Sequence, residues 1–471
     1  MNSKLQAAVD EVCQLFEVDQ DLLVRATHLF TESMKTGLAN PSGGREYMPM
    51  IPAFVTALPT GKEKGTYLAG DLGGTNFRVC AVKLNGDHTF ELTQSKFKIP
   101  VDLMENSTGE ALFAHLASKV QTFLDQHKLR ENSSDTLKMG FTFSFPVDQT
   151  SLNKGKLIRW TKGYDLHDVV GKDIVELFQN NIDSLKLNVS IVALANDTVG
   201  TLLSRAFSND PTKTNANTVV GCIFGTGTNG AYLDTLDNIP KLKGTEHDSN
   251  IRGMVINTEW GSFDNTLQVL PNTKYDKIID ASTANVGYHL FEKRISGMFL
   301  SEILRVVLID LFEQGLIFQD LYKSRGGSLP HRLEQAWLLD SAVMSYLEID
   351  DSTELKMSAL LMENEFRLPT THEERLVIQA LTRAISKRAA YLSAIPIAAI
   401  VSHVKSQYEN DDRDFEIGCD GSVVEFYPGF QANISKALSM IDPLKGEKKK
   451  IHLKIAKDGS GVGAALCASV A

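Results

Sequence analysis

Two glycine-rich stretches of the sequence carry residue types that can bind phosphate. Residues 67–83 are YLAGDLGGTNFRVCAVK and residues 219–233 are VVGCIFGTGTNGAYL, and each pattern predicts a strand, a glycine turn and a second strand. Paired glycines let the backbone approach a ligand closely, and successive N–H groups in such a turn attract an anion. Asp71 beside the first turn could hold a cation, usually through water for Mg²⁺. Taken alone, the first stretch fits equally well a surface hairpin built on Asn/Gly turn chemistry.

Better-known nucleotide motifs are excluded. Residues 225–230, GTGTNG, match G-x-G-x-x-G, but a dinucleotide fingerprint needs a helix directly afterwards, and residues 231–233 continue as a strand. There is no G-x-x-x-x-G-K-[ST] and no H-R-D or D-F-G set, which argues against a P-loop enzyme and a protein kinase. The remaining possibility is a phosphate held between two hairpin turns. The side chains offered to it are Thr75 and Asn76 from one turn and Thr226 and Thr228 from the other.

A candidate general base lies in the segment ALANDTVGTLL, which places Asn196 and Asp197 where a buried strand meets a helix. A carboxylate there could take a proton from a substrate hydroxyl, and such assistance typically accelerates a reaction by roughly 10²–10⁴-fold. Aspartate at this point is also a common helix N-cap, and the segment alone favours capping. One residue can fill both roles.

Further polar residues are of the kind that bind a sugar. Carboxylates and amides can accept paired hydrogen bonds from vicinal hydroxyls, and such a site rejects ligands without the hydroxyl because its own polar groups would be left unpaired. The spacing of these residues alone gives only weak support for a sugar site. They are Ser144 and Pro146 after a predicted strand, Thr161 and Lys162 after Trp160, Asn257 and Glu259 in INTEWGSF, and Glu292 in EKRISGMF.

The composition indicates a globular protein with small-molecule partners. The 471 residues favour two to three domains, and the net charge of −10 disfavours nucleic acid or an anionic membrane as the main partner. The five cysteines are far apart without a C-x-x-C pair, so we expect no disulfide framework and a reducing, cytoplasmic location. We expect no signal peptide, and the apolar run 394–401 contains Pro396 and is too short to span a bilayer.

Periodicity predicts the elements that position these residues. Because the two strand–turn–strand units begin at residues 67 and 219, we expect two similar lobes with a cleft between their hairpins. The basic stretch 445–454 is interpreted as a solvated loop. Predicted helices cover 4–37 (as two helices), 109–127, 171–180, 198–207 and much of 283–405, and predicted strands cover 139–145 and 191–195, with a third glycine turn in 416–429 and a strand, turn and helix at the end.

Taken together, the motifs resemble the eukaryotic hexokinase family, and several are most similar to fungal glucokinases. The resemblance extends from about residue 49 to residue 471. Its motifs are specific in combination: LAGDLGGTNFRV, GFTFSFPV, RWTKGY, NDTVGTL, IFGTGTNGAY, INTEWGSFDN, EKRISGMF, GCDGSVVEFYPGF and KDGSGVGAAL.

The resemblance implies an α/β fold of the two-lobed, actin-like ATPase (ribonuclease H-like) type, with duplicated βββαβα cores and a cleft between the lobes. Residues 1–65 would be N-terminal helices and a connector belonging to the large lobe. Residues 66–197 would form the small lobe and 198–456 the large lobe. Residues 457–471 would form a hinge helix that returns to the small lobe.

The resemblance also implies roles for individual residues. Asp197 would be the catalytic base, Lys162 would meet the transferring phosphoryl group, and Asp71 would lie near Mg²⁺, through water. The sugar would contact Ser144, Pro146, Thr161, Lys162, Asn196, Asp197, Asn229, Glu259 and Glu292. ATP would contact Asp71, Leu72, Gly73, Gly74, Thr75, Asn76, Arg78, Lys96, Gly225, Thr226, Gly227, Thr228, Asp420, Gly421 and Ser422.

The activity implied is transfer of the γ-phosphoryl group of ATP to the 6-hydroxyl of D-glucose, with mannose as a further substrate and fructose less favoured. A non-catalytic sugar sensor or an actin-like assembling protein could use the same fold, and so could another sugar kinase. The oligomeric state is left open. Two positions depart from the family pattern: Ala195 replaces a bulkier residue, and Ser301 stands where glycine is usual, near the nucleotide side.

Overall fold

The computed structural model describes residues 3–40, 47–129, 136–160, 163–243, 251–456 and 458–471. Its strands are β1 Ile51–Pro52, β2 Lys64–Leu72, β3 Asn76–Asn85, β4 Phe90–Lys98, β5 Leu137–Phe143, β6 Val147–Ser151, β7 Lys154–Leu157, β8 Val189–Ala195, β9 Ala216–Phe224, β10 Thr228–Thr235, β11 Gly253–Asn257, β12 Asp414–Asp420 and β13 Ile451–Ile455.

The α-helices are α1 Ser3–Leu15, α2 Gln20–Ala39, α3 Asp102–Glu105, α4 Gly109–Gln126, α5 Ile174–Ser184, α6 Asp197–Ser208, α7 Pro211–Thr214, α8 Lys274–Ala281, α9 Glu292–Ile295, α10 Gly297–Glu313, α11 Gln319–Ser324, α12 His331–Glu334, α13 Ser341–Ile349, α14 Lys356–Phe366, α15 His372–Val404, α16 Ser422–Phe426, α17 Phe430–Ile441 and α18 Gly459–Ser469.

Two sheets repeat one topology. One has the order β4-β3-β2-β5-β8 and the other β1-β11-β10-β9-β12-β13. In each sheet three consecutive strands form an antiparallel meander, and two later strands add in parallel beside the first of the three. This is the duplicated α/β core that the sequence predicted. The boundaries of the lobes stay a prediction.

Helices α6 and α18 lie between the two sheets. A buried apolar cluster joins them to both sheets, with Leu202 from α6, Val462 from α18, Ala69 from β2 and Val255 from β11 among its members. Glycines let the two helices approach closely, because a Cβ on Gly463 would lie 2.0 Å from the Cα of Gly200.

Two segments differ from the sequence-based expectation. The predicted helix at 171–180 begins later, at Ile174, because the side chain of Asp173 accepts hydrogen bonds from the N–H groups of Val175 and Glu176 and so caps the helix there. The basic stretch 445–454 is not wholly a loop. From Ile451 it forms β13, which pairs in parallel with β12.

Helix α15 contains Pro396 and is mostly buried in the large apolar core. In the described part of the chain, the segment His372–Tyr408 is long and apolar enough to cross a membrane by length and composition alone. However, 89% of its most apolar window is buried inside the protein, as in the core helix of a globular domain.

The stability of the protein should depend on the glycine contact between α6 and α18. We expect Gly463→Ala to lower the free energy of unfolding by ~1–3 kcal/mol, because the new methyl group overlaps the Gly200 backbone and must separate the helices. Urea unfolding followed by circular dichroism measures this effect. Ser469→Ala, at the end of the same helix, serves as the control, and equal midpoints for the two variants would contradict the prediction.

Candidate active site

Parallel pairing brings the candidate residues of the first sheet to one edge. Strands β2, β5 and β8 are parallel neighbours, so their carboxyl ends meet at that edge. The first glycine turn follows β2, Ser144 follows β5, and Asn196 with Asp197 follows β8. The N–H of Ser144 donates to the carbonyl of Leu72 at 3.4 Å, which ties the second of these segments to the first. The sheet therefore positions the first turn and the candidate base together.

The first turn is closed by its own backbone. The Gly73 N–H donates to the Asn76 carbonyl at 3.0 Å, and the Asn76 side-chain amide donates to the Thr75 hydroxyl at 2.8 Å. Thr75 is exposed, and Gly73 and Gly74 are half-buried. A Cβ on Gly73 would have only the Asn76 carbonyl oxygen within contact range, at 3.7 Å, so the turn is open to an incoming ligand. Lys96 is exposed on β4, opposite Arg78 in the register.

Arg78 connects Asp71 to the start of α18. Its guanidinium lies 3.0 Å from the Asp71 carboxylate and 2.9 Å from that of Asp458, and it also donates to the Ser460 hydroxyl. Burial lowers the pKa of Arg78, but the neighbouring carboxylates, Asp71 foremost, outweigh burial and raise the pKa overall. The Asp71 carboxylate is thus held at the edge of the turn by a permanent cation.

The second turn rests on the N-terminus of α10. The carbonyl of Gly225 accepts from the Gly297 N–H at 2.7 Å, and the carbonyl of Thr226 accepts from the Met298 N–H at 3.3 Å. These bonds satisfy helix N–H groups that have no partner within the helix. Thr226 is exposed and Gly227 half-buried. Thr228, in contrast, is buried, and its hydroxyl accepts from the Trp260 indole at 2.9 Å.

The third turn, Asp420 to Ser422, packs directly on the second. Gly421 has φ of 107°, and a Cβ there would lie 2.6 Å from the Phe224 carbonyl, so only glycine fits. Burial raises the pKa of Asp420, although its carboxylate accepts from the Gly421 N–H at 2.7 Å. Strands β9 and β12 are parallel neighbours, which explains why these two turns meet.

Three side chains of the second sheet form a hydrogen-bonded group. The Asn229 amide donates to Asn257 at 2.8 Å and to Glu259 at 3.0 Å, and the Asn257 amide donates to the same Glu259 oxygen at 2.8 Å. Burial raises the pKa of Glu259, and the carboxylates of Asp197 and Glu292 add to the rise, while the Asn257 amide and His289 oppose it. Asp197, Glu259 and Glu292 are therefore close enough to interact electrically.

Glu292 joins this carboxylate group to the second turn. One oxygen, Oε2, accepts from the Thr228 N–H at 3.0 Å. The same oxygen would lie 2.8 Å from a Cβ on Gly227, so the glycine makes room for it. A ligand bound by the carboxylates would therefore lie next to any phosphate on the turn, as a group transfer between them requires.

The helix cap at α6 is Asn196 and not Asp197. The Asn196 side chain accepts from the Thr198 N–H at 2.9 Å from the N-cap position. Asp197 is the first helical residue, and its carboxylate accepts from the same N–H at 2.8 Å. The interpretation of Asp197 as the N-cap is therefore wrong, and the carboxylate lies half-buried at a helix N-terminus, where a negative charge is favoured.

The remaining predicted sugar contacts lie around an aromatic cluster. The Phe145 and Trp160 rings meet edge-on with centroids 5.0 Å apart, and Tyr164 stacks on Trp160 at 5.1 Å. Pro146 accepts from the Ile158 N–H at 3.0 Å, which fixes the segment after Ser144. Thr161 and Lys162 lie outside the described residues, so their predicted contacts stay predictions.

Sequence reasoning missed His289. Its Nδ1 atom lies 3.6 Å from Glu292 Oε1, and it would lie 3.1 Å from a Cβ on Gly261. The neighbouring Glu292 carboxylate raises the pKa of His289 despite the opposing effect of burial. The spacing of three residues between His289 and Glu292 was the available signal, but the motif EKRISGMF begins only at Glu292.

Comparisons with known proteins match nearly the whole chain to one family. Family models described as hexokinase match residues 8–207 and 219–470. Glucokinase-1 of Saccharomyces cerevisiae is 50% identical over 98% of this chain and 97% of its own length. Aspergillus niger glucokinase is 44% identical over 100% and 98%. A Schistosoma mansoni hexokinase, solved in complex with glucose, matches with a TM-score of 0.84 and 32% identity, covering 100% of both chains. The resemblance predicted from the motifs is confirmed: the chain belongs to the hexokinase family.

Proposed function

We propose that this protein transfers the γ-phosphoryl group of ATP to the 6-hydroxyl of D-glucose, with mannose as a second substrate and fructose less favoured. The observation that carries the proposal is that Glu259 is held by two amide side chains and Glu292 accepts from the second glycine turn, with Asp197 near enough to act electrostatically on Glu259. Membership of the hexokinase family and the similarity to fungal glucokinases support it.

Asp197 is proposed as the base. Its position at the first turn of α6 places the carboxylate where a negative charge is favoured, and from there it would accept the proton of the 6-hydroxyl as that oxygen attacks. Lys162, by resemblance, would contact the transferring phosphoryl group. Drawing the lobes together around the sugar would exclude water, so that ATP is not simply hydrolysed.

The other sugar hydroxyls would bind to the polar group on the second sheet. Glu259 and Glu292 offer carboxylate oxygens, and Asn229 holds one of them in place. Ser144, Pro146 and Thr161 would contact the sugar from the opposite side of the cleft. An analogue that lacks one hydroxyl would leave a half-buried carboxylate unpaired, which gives the site its selectivity.

The nucleotide phosphates would bind the backbone N–H groups of the first and second turns. Among the described residues, no group of three or more His, Cys, Asp or Glu side chains is arranged to hold a metal. One carboxylate, Asp71, with water and phosphate oxygens completing the coordination, suits Mg²⁺, which binds through few protein ligands. Magnesium held there by Asp71 would neutralise charge on the phosphate oxygens.

We also propose a cytoplasmic location, since Cys13, Cys80, Cys222, Cys419 and Cys467 are all free thiols. Fluorescence microscopy of the tagged protein tests this. A non-catalytic sensor or an assembling protein is the less favoured alternative, because the proposed base and sugar carboxylates are intact.

A coupled assay of ATP consumption with glucose, mannose, fructose and glycerol tests the proposed function. Turnover with glucose at the highest kcat/KM is expected. Turnover with glycerol alone would indicate another sugar kinase, and glucose binding without turnover would indicate a sensor.

Asp197→Ala should lower kcat by roughly 10²–10⁴-fold while glucose binding is largely retained, because the base is lost and the sugar carboxylates remain. Steady-state kinetics and isothermal calorimetry give the two quantities. Asp87→Asn, in the exposed turn between β3 and β4, is the matched control. Near-normal turnover of Asp197→Ala would refute the assignment.

Ser301→Gly should change the KM for ATP more than the KM for glucose. The Ser301 hydroxyl donates to the Leu339 carbonyl at 2.7 Å, one helical turn after Gly297, which holds the second glycine turn. Ser301→Ala removes the hydrogen bond without adding a flexible residue to α10, so it separates the two causes. A larger effect on glucose than on ATP would count against the placement of Ser301 near the nucleotide.

A further inference from the structure

His289 lies beside the carboxylates of the site, and its backbone and its neighbours fix the position of its ring. It precedes α9 and has a positive φ of 53°, which turns the chain back before Glu292. Its ring occupies the space beside Gly261, where a Cβ would come within 3.1 Å of Nδ1. The side chain is 30% exposed, so the ring is half enclosed yet reachable by protons from solvent.

The groups that face His289 are mostly acidic. Glu292 and Glu259 are the nearby carboxylates, and Asp197 in turn acts on Glu259. Lys293 opposes them, but its ammonium lies 2.7 Å from the Asp280 carboxylate and is balanced there. Among the described residues, neither Glu259 nor Glu292 forms an ion pair with a lysine or an arginine, so His289 is the cation closest to balancing them.

Glu292 divides its two oxygens between different partners. Oε2 accepts from the Thr228 N–H in the second turn, and Oε1 faces His289. The histidine therefore fixes the rotation of the carboxylate that also holds the turn.

The electrostatic effect is reciprocal. Glu292 raises the pKa of His289, so the imidazolium persists to higher pH than usual. The same positive charge opposes the rise in the pKa of Glu259 that burial causes, so Glu259 ionises at a lower pH than it would without the histidine.

We propose that His289 is a positioning residue of the sugar site: its ring faces Oε1 of Glu292, and its positive charge balances the carboxylates of Glu259 and Glu292 and holds Glu292 against the second turn. The inference rests on the proposed function, in which these carboxylates accept hydrogen bonds from sugar hydroxyls. It adds a residue that acts on the sugar through the carboxylates, and it predicts a specific dependence on pH.

The test compares His289→Gln with wild type over pH 5 to 9, at saturating ATP. We expect the glucose KM of the variant to rise about threefold to tenfold near neutral pH, with little change in kcat or in the KM for ATP. The acid limb of kcat/KM for glucose should move up by about one pH unit, because Glu259 has lost a neighbouring cation. The two profiles should converge as pH rises above the pKa of His289, where wild type loses the charge as well.

Two further variants complete the design. His289→Lys restores a positive charge and should return the acid limb toward its wild-type position. His372→Gln, at the start of α15 and bonded to the Thr353 carbonyl, is the control and should match wild type. Calorimetric glucose binding by the same proteins over the same pH range provides a second readout that does not require turnover.

An unchanged acid limb in His289→Gln would overturn the inference, and so would a KM raised equally at every pH, since a purely packing role gives that result. Failure of the proposed function is distinguishable, because wild type itself would then not phosphorylate glucose. If wild type also binds no glucose, both the proposed function and the role of His289 are refuted.

Discussion

The contact between Gly200 and Gly463 is the constraint on which the rest of the structure depends. It allows α6 and α18 to lie backbone to backbone between the two sheets. Helix α6 begins with Asp197, and α18 begins beside Asp458, which Arg78 links to the first turn. The close packing therefore holds α6, which carries the proposed base, against α18, whose start Arg78 links to the first turn.

A second constraint is electrostatic. Asp197, Glu259 and Glu292 come from separate elements, and burying like charges together is unfavourable unless each is hydrogen-bonded or balanced. Each carboxylate has its own partners. Amide side chains donate hydrogen bonds to Glu259, Asp197 lies at a helix N-terminus, and Glu292 accepts a backbone N–H and lies near a histidine. The same interactions hold the carboxylates in place for a polyhydroxylated ligand.

Much of the fold was predictable, because strand–turn–strand units and helical periodicity are local signals that the chain repeats. The residue that caps α6 was not, since Asn196 and Asp197 are adjacent and both are good caps; only backbone dihedrals separate them. The strand at 451–455 was predicted only from Lys454 onward, because its pairing with β12 is non-local and three consecutive lysines, 448–450, precede it. His289 was missed for a similar reason: its importance comes from Glu259, thirty positions away in the sequence, together with its near neighbour Glu292.

The packing of Gly421 on Phe224 and Gly225 has a consequence for synthesis of the chain. The second turn is made early, but the surface that supports it belongs to β12 and α16, which the ribosome produces only after the long helical region. All five strands of the first sheet have been synthesised by Ala195. A nascent chain thus carries the strands of the first sheet long before the second and third glycine turns can meet, so these turns come together only near the end of translation.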